Sequence, residues 1–278
     1  MTVRIVTDSS CDLPSDALAR HGITVVPLTI RFGEQDFVDH VDLSTAEFWA
    51  RCATSEELPA TAAPSIGQFE QAYRTLAAQG ASGIVVVSLS SELSATMQSA
   101  VLAAEAVQGT IPVTVVDSLS VSVGLGMMVI AAAEAAAGGA SLDQVADVAR
   151  SLVGRTHVWA TLDTLENLKK GGRIGGAKAF LATALAIKPI IECRDGKVSE
   201  GGKQRTRAKA LAFLVDKLAG RNDIERVAVA HADCSDVDAF VEMVKPYAPG
   251  EVLVGDIGAV IGTHAGRGTI ALVFQTKA

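Results

Sequence analysis

Chemistry in this chain has few candidate carriers. "VIGTHAGRGTIAL" (Val260–Leu272) sets Thr263, His264 and Arg267 among Gly262, Gly266 and Gly268, in a chain with five histidines. Glycines let backbone approach a ligand closely, and an imidazole beside a hydroxyl can hold an anion or move a proton. A pliable turn with a surface histidine is the plainer alternative. Ser94, in "SLSSELSAT", stands where a helix is predicted to begin. Its hydroxyl and the free backbone N–H groups there could receive a carboxylate or phosphate, or simply cap the helix. Thr61, just before "AAPS", is either a turn hydroxyl or a ligand donor.

Other chemistries compete for the same residues. Asp8 and Asp12 could hold Mg²⁺, but the pattern is not D-x-D, and an Asx-capped turn accounts for them as well. Cys11, in a polar loop, could be a nucleophile or a bystander thiol. Ser94 and His264 could pair as nucleophile and base of a hydrolase acting on an acyl ester, oriented by Asp8 or Asp117; no G-x-S-x-G elbow is present. A sugar or phosphosugar binder using His264 as acceptor is a third reading, weakened by an aromatic content of only 4%.

Composition narrows these classes. Hydrophobic residues make up 49% and charged residues 20%, which describes a globular protein and not a disordered one. A net charge of −7 and the lack of a basic, aromatic-interleaved run argue against nucleic acid, and an acidic surface allows transient membrane contact at most. Cys11, Cys52, Cys193 and Cys234 form no CxxC or Cys/His cluster, so neither zinc nor a disulfide framework is expected, and reduced cytoplasmic thiols are. "MTVRIVTDSS" has no apolar signal region. The Ala-rich stretch at Val121–Ala140 carries Glu134 and reads as a buried helix, not a membrane span.

The elements that must position these residues change character along the chain. In the first half, "VRIV", "HGITVVPLTIRF", "GIVVVSLS" and "VTVVDS" read as strands. Amphipathic helices separate them, two opened by the capping patterns Ser44-x-x-Glu47 and Ser65-x-x-Gln68. Continuous apolar strands alternating with helices predict a parallel sheet covered on both faces, with the polar loops "TDSSCD", "SLSSELSAT" and "DSLSVSVG" on one rim. In the second half, Asp195-Gly196 between two extended arms predicts a hairpin, and strands with helices suggest an α+β unit. The fold class is therefore α/β: an N-terminal Rossmann-like domain over 1–154, a C-terminal domain over 155–278, and direct packing between them.

"TDSSCDLP", "TAAPS", "SLSSELSAT", "LENLKKGGRI", "KPII" and "IGTHAGRGTIAL" occur in an order that resembles the DegV family, the bacterial fatty-acid-binding proteins also called FakB. The resemblance spans nearly the whole chain. It implies a fatty acid enclosed between the two domains, no catalytic residues and no cofactor. Thr61, Ser94, His264 and its neighbour Thr263 would hold the carboxylate. It also implies a carrier that presents the acid to the ATP-binding subunit of a fatty-acid kinase and delivers acyl-phosphate to an acyltransferase for phospholipid synthesis. Arg173, Arg205 and Arg207 are then candidates for docking the kinase or steadying phosphate. The chain departs from the family pattern at Ala62-Ala63, Ala95 and Arg267, the first two keeping the hydroxyls. Each buried CH₂ would contribute roughly 0.8 kcal/mol, and residues such as those of "MMVIAAAEAAA" suit the walls of a tunnel and an ordinary core equally well.

Overall fold

β-Branched runs form the sheets that position everything else. The computed structural model describes residues 2–55, 57–182 and 187–278. In chain order its strands are β1 (Val3–Asp8), β2 (Thr24–Val26), β3 (Thr29–Phe32), β4 (Gln35–Val38), β5 (Ala60–Ala62), β6 (Gly83–Ser88) and β7 (Val113–Asp117), followed by β8 (Thr156–Thr161), β9 (Lys188–Arg194), β10 (Lys197–Gln204), β11 (Ile224–His231), β12 (Leu253–Asp256) and β13 (Ile270–Thr276). β2-β1-β6-β7 form an all-parallel sheet. Every residue of β6 is buried, as a strand covered on both faces requires.

The helices are α1 (Ser15–Arg20), α2 (Thr45–Thr54), α3 (Ile66–Ala78), α4 (Thr96–Ala106), α5 (Val123–Ala137), α6 (Leu142–Leu152), α7 (Glu166–Lys170), α8 (Arg207–Val215), α9 (Val237–Val244) and α10 (Ala259–Ala265). Ser44 and Ser65 each close the reciprocal capping box expected of them. Phe69, Tyr73 and Leu76 of α3 pack on Val6, Ile84 and Val86 on one face of the parallel sheet. α5 and α6 cover the other.

The second sheet, β10-β9-β8-β13-β11-β12, is mixed: every pairing is antiparallel except β11 with β12. Asp195 and Gly196 both take positive φ, the twisted turn that their dipeptide favours. β12 and β13, the last two strands, are not neighbours; β11 lies between them. α5 touches β1 and β6 on one side and β8 and β11 on the other. Lying between two sheets, it is apolar nearly all round. One apolar cluster joins Leu28, Phe48, Trp49 and Met127 of the first half to Val158, Ala160, Ala228 and Val273 of the second. Among the described residues, no helix is long and apolar enough to cross a membrane.

Two expectations are corrected here. "HGITVVPLTIRF" is not one strand: Pro27, with no N–H to donate, separates β2 in the parallel sheet from β3 in a small antiparallel sheet, β4-β3-β5. The stretch around His264 is not a pliable loop. It is the short helix α10, and Gly262 lies within it because a Cβ there would reach 2.8 Å from the Trp49 ring. Its glycine serves close packing; only Gly266 and Gly268, both at positive φ, form the turn into β13.

Candidate functional site

Between the mixed sheet and the segments that follow β2, β6 and β7 of the parallel sheet lies a cavity of about 100 Å³. Leu28, Leu89, Leu93 and Val121 line it from the first half. Val158, Ala160, Ile191, Cys193, Val198, Val260 and Ile261 line it from the second. Strand alternation places Val158 and Ala160 of β8 on this face together, with Ile191 and Cys193 of β9 beside them. No Phe, Tyr or Trp and no acidic side chain is among the described lining residues.

The polar lining residues are few. Ser122 donates to Asp12 Oδ2 at 2.5 Å, and Thr269 donates to the Ala265 carbonyl at 2.9 Å. The remaining four are Thr61, Ser94, Arg173 and His264. Thr61, on β5 opposite Ile30, has its Oγ1 3.0 Å from His264 Nε2. Ser94 Oγ lies 2.9 Å from Thr96 Oγ1 and accepts the Thr96 N–H at 3.3 Å, in the turn that opens α4. Arg173 donates through Nε to the Leu93 carbonyl at 3.1 Å, which brings its guanidinium beside Ser94. It also donates to the Gly171 carbonyl at 2.8 Å and has no ion-pair partner among the described residues. A second hollow, outside, shares Thr61, Arg173 and His264 with the cavity and is rimmed by Leu58, Pro59, Asn167 and Lys170. Thr61, Arg173 and His264 therefore stand where the cavity meets the outer hollow, with Ser94 following the Leu93 that Arg173 holds.

His264 defines the electrostatics of that end. Its Nδ1 is buried with no hydrogen-bond partner, packed where a Cβ on Gly171 would collide with it. An N–H at Nδ1 would be an unsatisfied buried donor, so the neutral ring keeps its proton on Nε2 and donates it to Thr61 Oγ1. Burial first, and the Arg173 charge second, lower the imidazole to about 4, so the neutral form prevails at physiological pH. The Thr61 hydroxyl, accepting from His264, has its own proton to give. What results is a set of donors and one cation with no anion among them.

Not every expected residue joins this group. Thr263, one residue from His264, is buried and donates its hydroxyl to the Ala259 carbonyl at 2.8 Å within α10, and it does not line the cavity. Arg207 is held by Asp236 through two hydrogen bonds, at 2.6 and 2.8 Å, and by the Gly268 carbonyl, so its guanidinium is not available at the cavity. Arg205 is exposed and lies away from the lining. The Ala-rich run Met127–Ala137 contributes no wall; it is spent in the core between the sheets.

Geometry also bears on the competing chemistries. Ser94 pairs with Thr96 and His264 with Thr61, so nucleophile and base are not hydrogen-bonded to each other. Asp8 is occupied by Ser10 and the Leu89 N–H, and Asp117 by Ser91 and the Leu119 N–H, so neither orients the histidine. Burial pushes the Cys11 thiol far up, away from the thiolate. No group of three or more metal-ligating side chains occurs among the described residues.

Sequence reasoning missed Gly171 and Asn167. Gly171 leaves room for the His264 ring, and Asn167 donates to the Thr263 carbonyl at 3.2 Å. Both stand in "LENLKKGGRI", and the paired glycines were the available signal.

A family model described as "Uncharacterised protein, DegV family" matches residues 2–277. A DegV domain-containing protein of Streptomyces coelicolor is 37% identical over 280 residues, covering 99% of each chain. Among solved structures, a fatty-acid-binding DegV family protein from Thermus thermophilus is similar with a TM-score of 0.92, 35% identity and complete coverage of both chains. A stearic-acid-binding protein from Eubacterium ventriosum follows the same fold with a TM-score of 0.89, 26% identity and 98% coverage of each chain. Fold, motif order and full-length similarity agree: the chain belongs to the DegV family.

Proposed function

We propose that this protein binds a long-chain fatty acid, with the tail in the cavity between its two lobes and the carboxylate among Thr61, Ser94 and His264. The observation that carries this reading is the one-sidedness of the cavity. Its walls are aliphatic, and among the described residues the groups it offers a ligand are the Thr61 and Ser94 hydroxyls and the Arg173 cation, with the His264 Nε2–H held beside them on Thr61. A buried carboxylate without partners would lose several kcal/mol of hydration. Thr61 O–H and Ser94 O–H can satisfy its lone pairs, His264 Nε2–H can pass from Thr61 Oγ1 to the carboxylate, and Arg173 offsets its charge at the open end. The tail supplies most of the affinity, at roughly 0.8 kcal/mol per buried CH₂. The ligands of the Thermus thermophilus and Eubacterium ventriosum relatives support the same ligand class.

In this reading the protein is a cytoplasmic carrier and not a catalyst. It comprises an N-terminal domain over 1–154 and a C-terminal domain over 155–278. It presents the carboxyl end to a fatty-acid kinase and hands acyl-phosphate to an acyltransferase. The outer hollow beside Arg173 is where the kinase reaches the carboxylate, with exposed Arg205 as a further docking residue. Native mass spectrometry of the purified protein, with organic extraction of what it carries, tests the ligand class. A saturable fatty-acid adduct is expected. A protein that carries no lipid and takes up no added stearate would overturn the proposal. For the carrier role, Arg173→Ala should keep stearate binding and slow acyl-phosphate formation in a coupled kinase assay; an unchanged rate removes that role.

A further inference from the structure

The loop after β1 crosses the junction between the lobes and takes hold of the helix that carries His264. Asp12 is 5% exposed. Its Oδ1 accepts the Gly258 N–H at 2.9 Å, and its Oδ2 is bonded by the Ser122 hydroxyl at 2.5 Å. Gly258 immediately precedes α10 and has no side chain to cap it, so Asp12 supplies an acceptor from 246 residues away. The fit is close on both sides. A Cβ on Gly258 would come within 2.9 Å of Asp12 Oδ1, and one on Gly255 within 2.6 Å of the Asp12 carbonyl oxygen.

Backbone strain gathers at the same place. Six non-glycine residues have positive φ among the described residues, and three of them meet here: Asp12 at 50°, Ser122 at 56° and His40 at 60°. His40 Nε2 lies 3.4 Å from where a Gly258 Cβ would be. Such conformations persist only where the surroundings over-determine them. α10 is seven residues long, too short to hold a helical form by itself. Its middle rests on Trp49 through Gly262, its end is tied by Asn167, and its start by Asp12.

We infer that Asp12 is a positioning residue for the head-group site: by accepting the Gly258 N–H across the lobe junction, it fixes α10 and thereby the placement of His264 Nε2 against Thr61. This rests on the fatty-acid reading for its ligand readout only. Burial raises Asp12 to about 8, so its neutral form is well populated near pH 7 and asparagine is a near copy of it. An amide oxygen at the same point still accepts the Gly258 N–H, and asparagine tolerates positive φ.

The test compares Asp12→Gly, which removes the carboxylate while relieving the strained φ, with Asp12→Asn. Two readouts are taken well below the unfolding temperature: stearate affinity, and the imidazole chemical shifts of His264 in ligand-free protein. Asp12→Gly is expected to weaken stearate binding about 10-fold and to move the His264 resonances, whereas Asp12→Asn restores both to near the parent values. An Asp12→Gly protein that melts lower yet keeps both affinity and resonances would reduce Asp12 to a structural residue and overturn the inference. Shifted resonances in a protein whose parent form binds no stearate would leave the positioning role standing and sink the fatty-acid reading alone.

Discussion

Two buried polar regions flank the lobe junction, and they are built in opposite senses. Around β1, the polar groups are acceptors already supplied with donors: Asp8 takes the Leu89 N–H at 2.9 Å and the Ser10 N–H at 3.2 Å, and Asp12 takes Gly258 and Ser122. At the cavity end, the polar groups are donors without an acid to receive them: Thr61, Ser94, the Nε2–H of His264 and Arg173. Asp39 is the exception in the first region, since its Oδ2 has no hydrogen bond and lies 3.8 Å from His40. A buried polar cluster that closes on itself is architecture. One with hydroxyls and a cation beside an apolar channel fits the proposed ligand, an anion with a tail.

The contrast predicts which property each region controls. Asp8→Ala strands the Leu89 and Ser10 N–H groups in the interior and should cost about 3 kcal/mol of stability, read from urea denaturation. A loss below about 1 kcal/mol would show that these paired acceptors contribute little to stability.

Acid titration should give the next largest effect. The unfolded His264 ring titrates near its ordinary 6.5 and the folded one at about 4, so between those values the unfolded chain takes up a proton that the native one does not. Stability therefore falls as pH drops through that window, by at most about 3 kcal/mol from this group. Asp12 acts in the other direction. Its folded value of about 8 stands above the ordinary 3.8, so its contribution is complete below pH 3.8 and declines as pH rises toward 8. The difference between parent protein and His264→Gln isolates the histidine term. Saturating stearate should shrink that difference, because a neighbouring carboxylate favours the imidazolium; parallel pH curves for the two proteins would contradict the assignment.

Smaller effects fall on binding. Ser94→Ala and His264→Ala should each weaken stearate affinity by about 1–3 kcal/mol, while His264→Ala changes stability at pH 7 by under about 1 kcal/mol. Isothermal titration with both variants decides this, and unchanged affinity in the pair would dissolve the donor site. Thr263→Val should matter least, within about twofold in affinity, because its hydroxyl serves the Ala259 carbonyl inside α10.

What could be read from the residues alone was local. The capping pairs at Ser44 and Ser65, the hairpin at Asp195-Gly196 and the apolar parallel strands depend on neighbours within a few positions, and all appear where expected. What failed depended on distant partners. Gly262 signals flexibility in sequence, but its lack of a side chain admits the Trp49 ring from the other lobe. Arg207 stands in a basic segment that reads as a free surface, until Asp236 takes both sides of its guanidinium. Thr263 and His264 are adjacent in sequence, yet successive residues of a helix point about 100° apart, so only the second faces the channel. Apolar Met127–Ala137 suits a tunnel wall as well as a core, and periodicity cannot separate the two.

A crystal structure of the protein with stearate bound decides where the tail and its carboxylate lie. The account predicts the alkyl chain along Val158, Ile191 and Val198, with carboxylate oxygens within hydrogen-bonding distance of Thr61, Ser94 and His264. A chain bound elsewhere, or a carboxylate turned away from those three side chains, would contradict it.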